Sequence, residues 1–150
     1  MKKIILMILA ICLLTIIFVG CTDKEKSAME QDILWTNSNI YGVENKPQNP
    51  TYITLEKDCH VTALTNYHYF NNGGKPGEIS LIDQDGKSYG PWKAKGREGQ
   101  GNVKNAYWDI FPDIKLKAGT YEVIDSNVDT WSHNTESGFS GFTEVRGILK

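Results

Sequence analysis

Three groups of residues in this chain have types and spacings that could carry chemistry. The first is polar and aromatic: Asn66, His68, Tyr69, Trp92, Tyr107, Trp108, Trp131, Ser132, His133 and Asn134. Aromatic rings offer an apolar face and a polar edge, and nearby amides and hydroxyls fix a ligand's orientation. Sugars suit such a surface. Asn66, His68, Trp92, Tyr107, Trp108, Asp125, Trp131, His133 and Asn134 are therefore the candidate ligand-binding residues. The same residues also read as scaffolding, because all-β cores are rich in Trp and Tyr and loops are rich in Asn.

The second group is Asp125-Ser126-Asn127-Val128-Asp129. Oxygen side chains at alternate positions wrap a calcium ion, and Glu136 falls twelfth from Asp125, as in an EF-hand loop. Thr130 stands where that loop needs its turn glycine, and no helices flank it. Asp125, Asn127 and Asp129 are thus weak calcium candidates, with an Asx turn as the plainer alternative. The segment Asp83-Gln84-Asp85-Gly86 is a weaker one. The third group is His60, His68 and His133. His60 and His68 lie ~26 Å apart on one strand at about 3.3 Å per residue, too far to share a metal. His68 and His133 could converge with Asp125 only through the fold. No zinc-type spacing and no serine-nucleophile motif is present. The reading is non-enzymatic.

The elements that must position these residues are strands. After residue 34 there is no sustained helical period, only short alternating runs between Gly, Pro, Asn and Asp. The expected strands are 33–36, 40–43, 51–56, 59–68, 77–82, 88–94, 106–111, 120–125 and 142–149. Asp83–Gly86 and Lys117–Thr120 read as the turns of hairpins. Many short strands with such turns predict an all-β, antiparallel, jelly-roll-like β-sandwich over residues 33–150. Alternation sends Ile53, Leu55, Ile79, Leu81, Tyr121 and Val123 inward. In the longest strand it places Cys59, Val61, Ala63 and Tyr67 on the inner face. His60, Thr62, Asn66 and His68 then take the outer face, with Leu64 breaking the pattern. The Gly96–Gly101 stretch reads as a surface loop.

The start of the chain has a different character. Met1-Lys2-Lys3 precedes an uncharged apolar run, Ile4 to Val19, that ends at Gly20-Cys21. This layout resembles a bacterial lipoprotein signal with its lipobox, although Phe18 stands where leucine is usual. The resemblance implies cleavage before Cys21, lipidation of Cys21 and an extracytoplasmic domain anchored to a membrane. Two acyl chains would hold it stably where one binds reversibly. Removing residues 1–20 takes away two lysines and no acid, so the formal charge moves from -2 to -4. That balance argues against nucleic acid as a partner. Cys12 would leave with the signal, so Cys59 would have no cysteine to pair with. Residues 22–32 are polar and read as a disordered tether, with a helical turn admissible at Met29 to Leu34.

A second resemblance lies in the domain. Leu116-Lys117-Ala118-Gly119-Thr120-Tyr121-Glu122-Val123 resembles a strand entry of extracellular bacterial β-sandwich modules, such as pre-peptidase C-terminal and carbohydrate-binding-like domains. Asn39–Val43, Asn66–His68, Asn71–Gly73, Tyr89–Trp92, Ala106–Trp108 and Asp125–Ser132 are similar to an uncharacterised secreted domain. These resemblances imply a fold and a location and assign no activity. The expectation is a membrane-anchored binding module for a glycan or another cell-envelope component. The alternatives are a small metal-assisted or His-dependent hydrolase, and an inhibitor or structural partner of a secreted enzyme. No cofactor is expected beyond the weak calcium option.

Overall fold

The computed structural model describes residues 22–150. The signal segment and Cys21 lie outside the described residues. Among the described residues one α-helix, α1 (Asp23–Met29), is followed by twelve strands and, within them, a short 3-10 turn at Gln100–Asn102. The first strands are β1 (Asp32–Thr36), β2 (Glu44–Asn45), β3 (Thr51–Leu55), β4 (Cys59–Tyr67), β5 (Glu78–Asp83) and β6 (Ser88–Lys93). The rest are β7 (Lys95–Arg97), β8 (Tyr107–Ile110), β9 (Ile114–Leu116), β10 (Gly119–Asp125), β11 (Ser132–His133) and β12 (Thr143–Leu149). The chain is all-β, and its named strands pair antiparallel. One sheet runs β1-β12-β4-β8-β7, with β9 beside the first half of β4. A second runs β3-β10-β5-β6, and β11 and β2 form a small third.

The two larger sheets enclose the core of a sandwich. Ile53, Leu55, Ile79, Leu81, Tyr121 and Val123 come from one sheet, as alternation predicts. Cys59, Val61, Leu64, Trp108, Ile110, Leu116 and Val145 come from the other. Burial of Cys59 pushes its thiol pKa up, consistent with an inert apolar role.

In β4 the expected alternation holds only as far as Ala63. The register against β12 slips between Arg146 and Gly147, so Thr62 is the extra residue of a bulge. A bulge reverses the parity of all that follows. Leu64, Asn66 and His68 are therefore buried, whereas Tyr67 turns outward. This corrects the placement of Asn66 and His68 on the outer face and of Tyr67 on the inner one.

Three further expectations are corrected. Residues 40–43 form a loop, not a strand, with Ile40 97% and Tyr41 65% exposed, so their alternation has no core to face. The Gly96 region is not a free loop, because β7 pairs with β8. Gly96 is needed there, since a Cβ would collide with Asn105 Oδ1. Finally, residues 23–29 form a docked helix instead of a disordered tether. The Thr22 side chain caps the Glu25 amide and the Glu25 carboxylate caps the Thr22 amide, a capping box.

The turn into β10 behaves as expected. Gly119 has φ +150, in the range that side chains rarely adopt, and the space where a Cβ would stand is open. Gly119→Val should therefore lower stability by about 1 kcal/mol or more through backbone strain alone. Urea unfolding measures this, and an unchanged midpoint would reject the strain.

Candidate binding cleft

Seven of the nine candidate residues are buried: Asn66, His68, Trp108, Asp125, Trp131, His133 and Asn134. Three of them form one network between the sheets. Asp125 Oδ2 accepts from Asn66 Nδ2 at 2.7 Å and lies 3.1 Å from His68 Nε2. Thr143 donates to Asn66 Oδ1 at 2.8 Å, and His68 Nδ1 lies 3.0 Å from the Thr130 hydroxyl. The His68 ring stacks on Trp108 at 3.7 Å. An Nε2–H tautomer satisfies both ends of the imidazole, donating to Asp125 and accepting from Thr130.

The order hydroxyl, imidazole, carboxylate imitates a catalytic triad. However, the side chains of His68 and Asp125 are both 0% exposed, so a substrate cannot reach the imidazole. The network holds the sheets together. His133 lies elsewhere, its Nε2 donating to the Asn45 carbonyl at 3.1 Å. The calcium candidates are also otherwise engaged. Asp125 Oδ1 accepts from the Asn127 amide at 2.8 Å, which is the Asx turn, and Asp129 lies 3.5 Å from Lys46. Among the described residues no three His, Cys, Asp or Glu side chains are grouped to hold a metal ion. Trp131 donates to the Phe142 carbonyl at 3.0 Å, and Trp92 packs half-buried against the core.

Tyr107 and Asn134 lead instead to a cleft of about 460 Å³ on the outer face of the larger sheet. That volume lies in the range of small-molecule sites. Its floor follows from cross-strand register. Arg97 on β7 stands opposite Tyr107 on β8, which stands opposite Tyr67 on β4. The Tyr67 amide bonds the Phe142 carbonyl at 3.2 Å, which extends the row to the entry of β12. The ring centroids of Tyr67 lie 4.8 Å from Tyr107, 6.0 Å from Tyr69 and 6.4 Å from Phe142. The next row carries Glu144 opposite Thr65. The wall is the loop Ser38–Val43, and Phe70 stands at one end.

Asn134 positions that wall. It exchanges amide hydrogen bonds with Asn39 at 3.1 and 2.8 Å and donates to the Gly42 carbonyl at 3.2 Å. The loop thus keeps its shape without strand pairing and presents Ile40 and Tyr41 to solvent.

The charges facing the cleft are internally paired. Arg97 forks onto Asp109 at 2.7 and 3.1 Å and lies over the Tyr107 ring at 4.2 Å. Burial works against the Arg97 charge, but the hydrogen bonds and charge of Asp109 outweigh it and hold the guanidinium pKa up. Thr65 donates to the same carboxylate at 2.7 Å, and Arg146 pairs with Glu144 at 2.6 Å. The hydroxyls of Tyr67, Tyr69 and Tyr107 make no hydrogen bond to any described residue.

Burial, reinforced by Tyr107 and Tyr69, pushes the Tyr67 pKa up to about 12. Tyr67 is thus a neutral hydroxyl across the physiological range. An ordinary tyrosine ionises at about 10, so the unfolded chain loses this proton first. The contribution of Tyr67 to stability is full below pH ~10 and disappears as pH rises through about 12. In a spectrophotometric titration, Tyr67→Phe should remove a late-titrating tyrosine. Loss of an early one would contradict the buried environment.

Tyr69 and Tyr107 belonged to the polar-aromatic set read from sequence. Tyr67 is absent from that set, because parity assigns it to the core. Arg97, Phe142 and Glu144 carried no local signal, because only strand register brings them together.

Comparison with family models, curated proteins and solved structures finds no match for this chain. The class defined by fold and cleft is an antiparallel β-sandwich with an aromatic, charge-balanced groove on one sheet face. No helix among the described residues is long and apolar enough to cross a membrane.

Proposed function

We propose that this chain is a lipid-anchored, extracytoplasmic binding protein whose cleft takes an extended, uncharged glycan of the cell envelope. The Gly20-Cys21 signal supports the anchor. The observation that carries the binding reading is the row Arg97, Tyr107, Tyr67, Phe142. It crosses β7, β8 and β4 and reaches the entry of β12, a row of roughly 14 Å at about 4.8 Å per strand. Such a row matches a chain of sugar rings lying across the strands. Ring faces stack on Tyr67 and Tyr107, with the buried Phe142 supporting Tyr67 from behind, and sugar hydroxyls bond tyrosine hydroxyls that have no partner among the described residues. The pairing of Arg97 with Asp109 and of Arg146 with Glu144 favours a neutral ligand. No covalent step is involved.

The test uses the chain from residue 21 with Cys21→Ser, retained on insoluble cell-wall polysaccharide. Tyr107→Ala and Tyr67→Ala should each weaken retention about tenfold, which corresponds to about 1.4 kcal/mol. The thermal midpoint of Tyr107→Ala should stay close to the parent, and retention by Tyr67→Ala is read on its folded fraction. Retention unchanged in both variants would refute the cleft as the binding site.

A further inference from the structure

α1 changes what an anchor at Cys21 can do. A disordered segment over residues 22–31 would let the domain swing outward by up to roughly 33 Å. In the structure that length is taken up. The capping box begins at Thr22, and the helix lies across the outer face of the larger sheet.

Four side-chain ties hold it. Lys24 pairs with Asp113 at 2.7 Å, and Asp113 also meets His60 at 2.6 Å. Glu25 pairs with Lys95 on β7. Thr62 donates to the Ala28 carbonyl at 3.1 Å, and Arg146 donates to the Gln31 carbonyl at 3.0 Å. The ties lie in order along the helix, from the β7–β9 side, over β4, to β12. β1 then continues the chain at the sheet edge. A seven-residue helix has little stability of its own, so these contacts and the cap are what keep it formed.

We infer that α1 straps the domain directly to its anchor, so that the cleft works within one domain diameter of the bilayer and its partner is a glycan attached to the same membrane. A domain of this size has a radius of gyration of roughly 14 Å, which puts every part of it within roughly 35 Å of the headgroups. The inference rests on the lipid at Cys21 and on the glycan-binding reading. It goes beyond both by assigning the reach, and hence the location of the partner.

The experiment uses the full lipidated chain in phosphatidylethanolamine–phosphatidylglycerol vesicles. A fluorophore on Asp85→Cys, exposed in the β5–β6 turn and outside the cleft, donates energy to a headgroup-labelled acceptor lipid. Lys24→Glu with Glu25→Lys releases the strap, and an Ala28→Cys/Thr62→Cys disulfide locks it. The parent and locked proteins should show the same high transfer, and the released protein several-fold lower transfer. Capture of a wall polysaccharide coupled to phospholipid in the same vesicles should survive the lock.

Parent transfer equal to that of the released protein would overturn the strap. Loss of capture on locking would show that binding needs an extended tether, and would overturn it as well. The supporting readings fail separately. Vesicle association unchanged by Cys21→Ser would remove the anchor and this inference with it. High transfer in parent and locked proteins, with no polysaccharide capture, would remove the glycan partner and leave the strap standing.

Discussion

Replacing Asp125 with alanine is expected to cost the fold about 3–5 kcal/mol, because it removes the shared acceptor of a buried hydrogen-bond network. The Asp125 carboxylate accepts from Asn66 Nδ2, bonds His68 Nε2 and takes the Asn127 amide. Alanine strands Asn66 and His68 in a space closed to water and releases the Asn127 amide at its partly exposed edge. A buried donor without a partner costs about 1–3 kcal/mol. The damage extends further, because Asn66 links to Thr143 on β12 and His68 links to Thr130. Asp125→Asn keeps one acceptor and the shape, so its loss should be smaller than that of alanine. Urea unfolding of the three proteins, followed by tryptophan fluorescence, gives the comparison. An alanine variant within about 1 kcal/mol of the parent would show that the network adapts, and would reopen His68 as a group free to act on a substrate.

The second large effect separates two tryptophans that the sequence treats alike. Trp131 is 3% exposed, and its indole donates to the Phe142 carbonyl. It packs so closely on Gly141 that a Cβ there would collide with the indole ring. Trp131→Ala should therefore cost about 3–5 kcal/mol, as large-to-small changes in packed cores do. Trp92 is half-buried on β6, opposite Ile79 at the edge of the smaller sheet. Its neighbours can relax toward solvent, so Trp92→Ala should cost less than half as much. Neither residue lines the cleft, so glycan retention by the folded fraction of both variants should equal that of the parent. A selective loss of retention in either would move the binding surface away from the Tyr67–Tyr107 row.

The parts of this protein that could be read along the chain are those governed by local rules. Period-2 alternation at Ile53 and Leu55, Ile79 and Leu81, and Tyr121 and Val123 marks strands with one buried face, and all six residues are in the core. The turn chemistry at Gly119 and the Asx turn at Asp125 depend on a few consecutive residues, and both are present. Even α1 had a local signature, Thr22-x-x-Glu25, although its polar composition reads as a tether.

What the chain could not announce depends on partners distant in sequence. The bulge at Thr62 exists because β12 pairs with two successive parts of β4 in slipped register. That slip, not the identity of any residue, turns His68 and Asn66 into the core and Tyr67 out toward solvent. Tyr107, Arg97 and Phe142 gain meaning only when β8, β7 and the entry to β12 are laid beside Tyr67. Side chains of the right type were visible from the start. Which of them share a face is set by register, and register is a property of paired strands, not of a single one.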